Sequence, residues 1–385
     1  MFGLYLIIKC GRKSGLTKKI VIVSNTSWSL FNFRLNLARF LKQSGYEVSL
    51  IAPFDDYSSK LEREFNFYDI KINSRGKNPL EDIKTFIDFY RLYKQIKPDF
   101  ALHFTIKPNI YGSFAARILG IKTINNITGL GKIFMNKNLT TNIVRLLYKY
   151  SQTRVFKIFF QNKEDFNEFL KNKLVGEDKC DLLPGSGVDT KRFSPIKTYK
   201  NRNIFIFLLI ARLMWDKGIG EYIGAAKNIK KIYNNVEFRL LGFLNDHDDD
   251  SLNINHIQKW SDEGLVNYLG VSNDVKLEIS EADCVVLPSF YAEGTPRSLL
   301  ESASMAKPII TTYNVGCKDV VDNGINGYLC EIKNVDDLTE KMEMILNLSE
   351  EDRIVMGQAG RKKMLLEFDE TIVLNKYLSE IKAIA

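Results

Sequence analysis

The sequence reads as an α/β protein made of two doubly wound parallel-sheet units in tandem, facing each other across a cleft. Three observations carry this. Short, β-branched, nearly all-apolar runs recur with helical stretches between them, as parallel strands covered by helices on both faces require. The alternation begins twice, near residues 19 and 204, and an irregular stretch with two prolines and two glycines, LPGSGVDTKRFSP at 183–195, separates the cycles. The 385 residues, 45% hydrophobic and 26% charged, are too apolar for disorder and numerous enough for two domains.

Residues 19–24 (KIVIVS) form the first strand. A polar-aromatic loop follows, then a helix over 32–44, where Phe33, Leu37, Phe40 and Leu41 recur at helical spacing and Gly45 marks the stop. Residues 47–52 read as a strand, 80–96 as a helix, 100–104 as a strand, 110–119 as a helix and 122–127 as a strand. Such alternation implies a parallel sheet with right-handed crossovers. The second cycle opens with a strand at 204–210 and a helix near 220–232. Strands at 237–241 and 284–287, a helix from 296 to 306 and a strand at 308–312 complete it. Ligands of open α/β sheets lie outside the carboxyl ends of the strands, so the cleft between the units is the expected site.

No stretch reaches the roughly 18–20 apolar residues of a membrane-spanning helix. The first ten residues lack a basic start and a small-residue cleavage site, so they do not read as a secretion signal. A cytoplasmic protein, soluble or peripheral on a membrane, is expected. Five cysteines form no C-x-x-C pair and three histidines stand at no metal-ligand spacing, so zinc and disulfide scaffolds are not expected. The acidic run around His247, from Asp246 to Asp250, reads as a solvated loop. Residues 1–200 carry 34 Lys and Arg against 17 Asp and Glu, a net +17, whereas residues 201–385 carry 20 against 29, a net −9. Residues 101–150 hold seven basic side chains and no acidic one, interleaved with Ile143, Leu146, Leu147, Tyr148 and Tyr150. Such a surface attracts polyanions: anionic lipid headgroups, a diphosphate-bearing substrate or nucleic acid. It also fits a merely solubilising face.

The strongest motif is EGTPRSLLE, 293–301, directly after the strand that ends in Leu287-Pro288-Ser289. Pro296 suits the first turn of a helix, and Gly294 and Thr295 before it leave backbone amides aimed at the cleft. With the helix dipole these make an anion site. Glu293 sits on the loop beside that anion and Glu301 in the second helical turn, so two carboxylates could accept hydrogen bonds from polyhydroxylated groups flanking a diphosphate. A surface loop followed by an ordinary helical Glu is the plainer alternative. A second pair, Arg212 and Lys217, follows the strand at 204–210 and places a guanidinium and an ammonium at another carboxyl strand end.

Together ARLMWDKG (211–218), LPSFYAEGTPRSLLE (287–301) and DNGINGYL (322–329) resemble the retaining glycosyltransferases of family 4, over essentially the whole chain. The resemblance implies the GT-B fold, two Rossmann-like domains facing across a cleft: residues 1–190 binding the acceptor, 191–365 binding a nucleotide sugar, and a helix in 366–385 packing back on the first domain. TIKPNIYG (105–112) and ITGLG (127–131) are similar to the branch that builds bacterial surface polysaccharides on a polyprenyl-diphosphate carrier.

In that family Arg212 and Lys217 would neutralise the donor diphosphate, Glu293 would bind hydroxyls of the donor sugar and Glu301 the nucleotide ribose. Backbone near Gly294, Thr295 and Pro296 would contact the distal phosphate, and Gly129 and Gly131 would let backbone approach the donor from the opposite domain. Transfer with retention and without a metal is implied, with preorganised cations as the main catalytic device. UDP is the nucleotide the family habit favours. Many relatives carry a histidine near the donor sugar where Ile106 stands here; His103, three residues earlier, reads as the packed end of a buried strand. Asp319 replaces the glutamate common in relatives.

On the acceptor side Arg34, Lys107 and Asn109 are expected to face the cleft, Arg34 and Lys107 meeting the acceptor's diphosphate, unless they are simply solvated. Residues 138–160, basic and apolar with Tyr148, Tyr150 and Phe156, would rest on the anionic inner leaflet of the cytoplasmic membrane, or pack as an ordinary helix. The leading expectation is a peripheral transferase of a hexose or N-acetylhexosamine to a lipid-linked saccharide. A sugar-nucleotide epimerase on the same fold is the alternative. A nucleic-acid-binding protein finds no supporting motif. Replacing Glu293 or Lys217 by alanine should abolish transfer and leave the melting temperature nearly unchanged.

Overall fold

The structure, a computed structural model, describes residues 17–73, 76, 78–129, 139–196, 203–244, 252–272 and 274–384; Gly131, residue 138 and the acidic run at 246–250 lie outside them. The first sheet holds seven parallel strands, β1 (Lys19–Val23), β2 (Glu47–Ala52), β3 (Asn66–Asp69), β4 (Phe100–Phe104), β5 (Lys122–Ile127), β6 (Lys157–Phe160) and β7 (Cys180–Leu182), in the order β3-β2-β1-β4-β5-β6-β7. The second holds β8 (Phe205–Ile210), β9 (Val236–Leu241), β10 (Asn267–Gly270), β11 (Cys284–Leu287), β12 (Ile309–Thr312) and β13 (Gly327–Cys330), in the order β10-β9-β8-β11-β12-β13. In each sheet the winding reverses between two central neighbours, β1 and β4 in one and β8 and β11 in the other. The crevices outside their carboxyl ends are the binding positions of such sheets.

The central strands are nearly all-apolar because both faces are covered. On one side Ile20, Ile22, Phe100, Leu102 and Phe104 pack with Leu37 and Leu41 of the helix Leu35–Gln43. On the other, Val21, Val23 and Ala101 pack with Phe89 and Tyr93 of the helix Pro79–Ile96. That helix starts where the sequence says it should: Asn78 caps the amide of Leu80, Pro79 opens the first turn, and Glu81 and Asp82 face the positive end of the dipole.

Two helices begin later than their periodicity suggests. A wide turn, Leu30–Arg34, precedes Leu35–Gln43, and another, Pro108–Gly112, precedes Ser113–Ile118. Such turns place side chains off the regular helical phase and are frequent at functional sites. Five strands are not evident from the sequence, β3, β6, β7, β10 and β13; each is only three or four residues long and they lie toward the sheet edges.

The last helix, Glu370–Ile384, returns to the first sheet, where Val373, Leu374, Tyr377 and Ile381 join the core around Ile22 and Phe104. The Tyr377 hydroxyl accepts a hydrogen bond from Asn126 Nδ2 at 2.7 Å, and Lys376 pairs with Asp181 at 2.9 Å. The chain therefore passes between the units twice. The two passages are bonded to each other: Val188 N donates to Phe368 O at 2.8 Å and Glu370 N to Val188 O at 2.9 Å.

Candidate active site

The loops after β8 and β11 are tied together at the switch point of the second sheet. Asp216 O accepts the amides of Phe290 and Tyr291, at 2.9 and 3.1 Å. This brings Lys217 Nζ onto Glu293 Oε1, in an ion pair whose side chains are 8% and 14% exposed. Ser289 Oγ donates to the same oxygen at 3.2 Å, and the ammonium lies 4.7 Å from the Tyr291 ring centre. Arg212, half-buried on the same side, has no hydrogen-bond or ion-pair partner among the described residues. One carboxylate is thus held by a cation and a hydroxyl, and the loop that supplies the cation also carries the unpaired Arg212 guanidinium.

The loop carrying Glu293 is also gripped by the first unit. Gly294 approaches the ends of β5 and β6 so closely that a Cβ there would lie 2.4 Å from Gln161 Oε1 and 2.5 Å from Thr128 O. Gly129, at φ +119°, has room for a Cβ only 3.0 Å from Gly294 N, so the two glycines form one backbone-to-backbone contact across the cleft. Thr295 Oγ1 donates to Gln161 O at 3.2 Å, Asn162 Nδ2 to Glu293 O at 3.2 Å, and Lys318 pairs with Glu164 at 2.7 Å. Of these partners in the first unit only Gly129 is expected from the sequence; Thr128, Gln161, Asn162 and Glu164 are not, because their proximity depends on the docking of two domains.

Pro296 corrects one expectation. It is the N-cap, with extended backbone at ψ 117°, and the helix is Arg297–Ser304. Its carbonyl takes the amides of Leu299 and Leu300. The amides of Arg297 and Ser298 open the first turn and bond to no described group. Glu301 accepts from Arg297 Nε at 2.8 Å, while burial raises its pKa and the guanidinium opposes that rise. Arg297 also donates from Nη1 to Asn32 O at 2.7 Å, stitching the helix start to the first unit. The only sign of this pairing in the motif is the spacing of Arg297 from Glu301, that of a helical ion pair.

The expected acceptor residues fare differently. Arg34 is buried at 5% exposure, over the Phe104 ring at 4.1 Å, and burial lowers its pKa to about 10. Lys107 is not free for an acceptor, being paired with Asp82 at 2.6 Å. Asn109 does not line the cleft: it is fully buried and donates to Asn126 O at 2.8 Å, holding the wide turn onto β5. Tyr148 is buried as well, with Phe169, whereas Ile143, Leu146, Tyr150 and Phe156 are exposed. His103 is a packed strand residue, bonded to Tyr93 Oη at 2.6 Å and Asn125 Oδ1 at 2.8 Å, its pKa pushed down to about 4 by burial.

Comparison with known proteins gives this geometry a context. The family model described as glycosyl transferases group 1 matches residues 189–363, and the one described as glycosyl transferase 4-like matches residues 19–162. The chain is 29% identical over 379 residues to the N,N'-diacetylbacillosaminyl-diphospho-undecaprenol alpha-1,3-N-acetylgalactosaminyltransferase of Campylobacter jejuni, covering 94% of this chain and 97% of that one. It is 26% identical over 365 residues to the UDP-Gal:alpha-D-GlcNAc-diphosphoundecaprenol alpha-1,3-galactosyltransferase of Escherichia coli, covering 87% and 89%. A glycosyltransferase from Rickettsia africae has the same fold, with a TM-score of 0.79 at 18% identity over 96% of this chain and 99% of that one. The two family models, matched in tandem over a pair of parallel-sheet units that share the fold of the Rickettsia enzyme, make this chain a glycosyltransferase of the group 1 and 4-like families, built on the GT-B fold.

Proposed function

We propose that this glycosyltransferase moves a hexose or N-acetylhexosamine from a UDP-sugar to a saccharide carried on polyprenyl diphosphate, with retention at the anomeric carbon and without a metal. The observation that carries it is the buried Lys217–Glu293 pair, with the partnerless Arg212 on the same loop as Lys217 and an open first helical turn at Arg297 and Ser298. Two cations, Lys217 held by its ion pair and Arg212 unpaired, and a helix dipole meet the negative charge that grows on the leaving diphosphate. Glu293, its Oε1 already held, presents its second oxygen to sugar hydroxyls. The acceptor hydroxyl bonds to the anomeric carbon as the bond to the diphosphate oxygen breaks on the same face, and its proton passes to the departing phosphate. The relatives from Campylobacter jejuni and Escherichia coli act on undecaprenyl-diphosphate-linked sugars, and the latter takes UDP-Gal, which supports the same donor and carrier here. The matched families offer no support for epimerisation.

Among the described residues no helix is long and apolar enough to cross a membrane. Ile143, Leu146 and Tyr150 project from the helix Leu139–Ser151 near Phe156, among Arg117, Lys149 and Arg154, a surface suited to an anionic inner leaflet. Two measurements test the proposal. UDP should raise the melting temperature more than GDP or ADP, and UDP-sugar with an undecaprenyl-diphosphate saccharide should yield an extended glycan of retained anomeric configuration. Inverted product or no transfer refutes it. Binding to anionic vesicles should weaken as salt rises; salt-insensitive binding would mean hydrophobic insertion instead.

A further inference from the structure

A group of uncompensated polar atoms lies across the cleft, at the carboxyl ends of β1 and β4. The register pairs Val23 with His103, which sets Ser24 beside Phe104. Ser24 follows Ile20 and Ile22 in alternation, onto the face that Phe104 shares. The Arg34 guanidinium lies 4.1 Å over that ring. It has no carboxylate partner among the described residues: Nη1 reaches Phe33 O at 3.5 Å and Nε bonds to nothing. The hydroxyls of Ser24 and Thr105 are equally buried and equally unbonded.

A buried charge without a counter-charge is expensive to keep. The backbone is costly at the same place. Thr105 is a β-branched residue at φ +74°. Strain of this kind gathers at ligand sites. A planar guanidinium with two hydroxyls is a donor set for the oxygens of a phosphate.

We infer that Arg34, Thr105 and Ser24 form a cradle for a phosphate of the lipid-linked acceptor, whose oxyanion supplies the counter-charge that the buried guanidinium lacks. This rests on the transfer proposed above and narrows its acceptor side, since Lys107 is tied to Asp82 and Asn109 is buried. The donor also carries phosphates, but Arg212 and Lys217 await those on the opposite wall.

The test uses the full-length protein and the variants Arg34→Met, which keeps the bulk without the charge, and Arg34→Lys. With UDP saturating the donor site, inorganic pyrophosphate should raise the melting temperature of the wild type further and leave that of Arg34→Met unmoved. Without ligand, Arg34→Met should melt at or above the wild type, because apolar bulk has replaced an unpaired buried charge. In turnover of undecaprenyl-diphosphate-linked GlcNAc with a UDP-sugar, Arg34→Met should raise the acceptor KM about tenfold or more and leave the donor KM within about twofold, with Arg34→Lys between. Three results overturn the cradle: no pyrophosphate shift in wild type once UDP is bound, a rise in donor KM instead of acceptor KM, or an Arg34→Met protein that melts lower yet keeps the shift. If the wild type turns over no lipid-diphosphate acceptor while the Arg34-dependent shift persists, the proposed transfer fails, and the acceptor assignment with it.

Discussion

Removing the Lys217 ammonium should separate the two things the ion pair does. With the side chains 8% and 14% exposed, Lys217→Met leaves the Glu293 carboxylate in a nearly dry site with Ser289 as its one remaining side-chain partner among the described residues. Losing one member of a buried pair costs about 3–5 kcal/mol, whereas replacing both members by neutral groups of like size is close to neutral. For a unit the size of the second domain that is about 6–20 °C in melting temperature. This revises the expectation, drawn from the motif alone, that the melting temperature would barely change. The double variant Lys217→Met/Glu293→Gln should recover most of the lost stability. It should not recover activity, because the leaving-group cation is still missing, and kcat should stay down by about 10²–10³-fold. Calorimetry on the four proteins of the cycle, with kcat measured alongside, tests both halves. A single variant within about 1 kcal/mol of wild type, or a double variant no more stable than the singles, would show that the pair is not a buried one and that its placement of Glu293 is wrong.

Three further outcomes are expected. Gly294→Ala pushes a methyl into Gln161 and Thr128, so the variant should keep its circular dichroism spectrum but lose about 1–3 kcal/mol of stability, together with most turnover, because the domains can no longer close to this distance. Unchanged kcat would show that the contact is not needed for catalysis. Stability should fall on acidification because His103, ordinarily near 6.5, titrates only at about 4 in the fold. The unfolded chain takes up a proton that the folded imidazole refuses, and between pH 7 and pH 5 this removes about 2 kcal/mol. In His103→Gln the difference in unfolding free energy between those two pH values should shrink by that amount. Transfer should survive chelation by EDTA; its loss, restored by a divalent ion, would refute metal independence.

The parts of the molecule that depend on neighbours in sequence were legible there. The runs KIVIVS and FALHF are nearly all-apolar because both faces of a central parallel strand are covered, and Asn78-Pro79 announces its helix with a cap and a fixed φ. What depended on distant segments was not. Glu293 and Lys217 are 76 residues apart, and their contact follows from Asp216 O gathering the amides of the β11 loop, a pattern no periodicity shows. Asn109 and Lys107 stand at a strand end, where a ligand residue would stand. The wide turn after it rotates Asn109 into the core, and Asp82, on a separate helix, claims the lysine. Arg34 was visible as a residue opening a helix; its burial over Phe104 needed the sheet.

The return of the final helix to the first sheet has a consequence for synthesis. Val373, Tyr377 and Ile381 complete a core whose other members, Ile22 and Phe104 among them, leave the ribosome hundreds of residues earlier. The amino-terminal unit cannot finish folding until residues 370–384 have been made, and until then it waits with one apolar flank uncovered. A message cut short before that helix therefore damages the beginning of the protein, and chains truncated ahead of residue 370 should be recovered as aggregates.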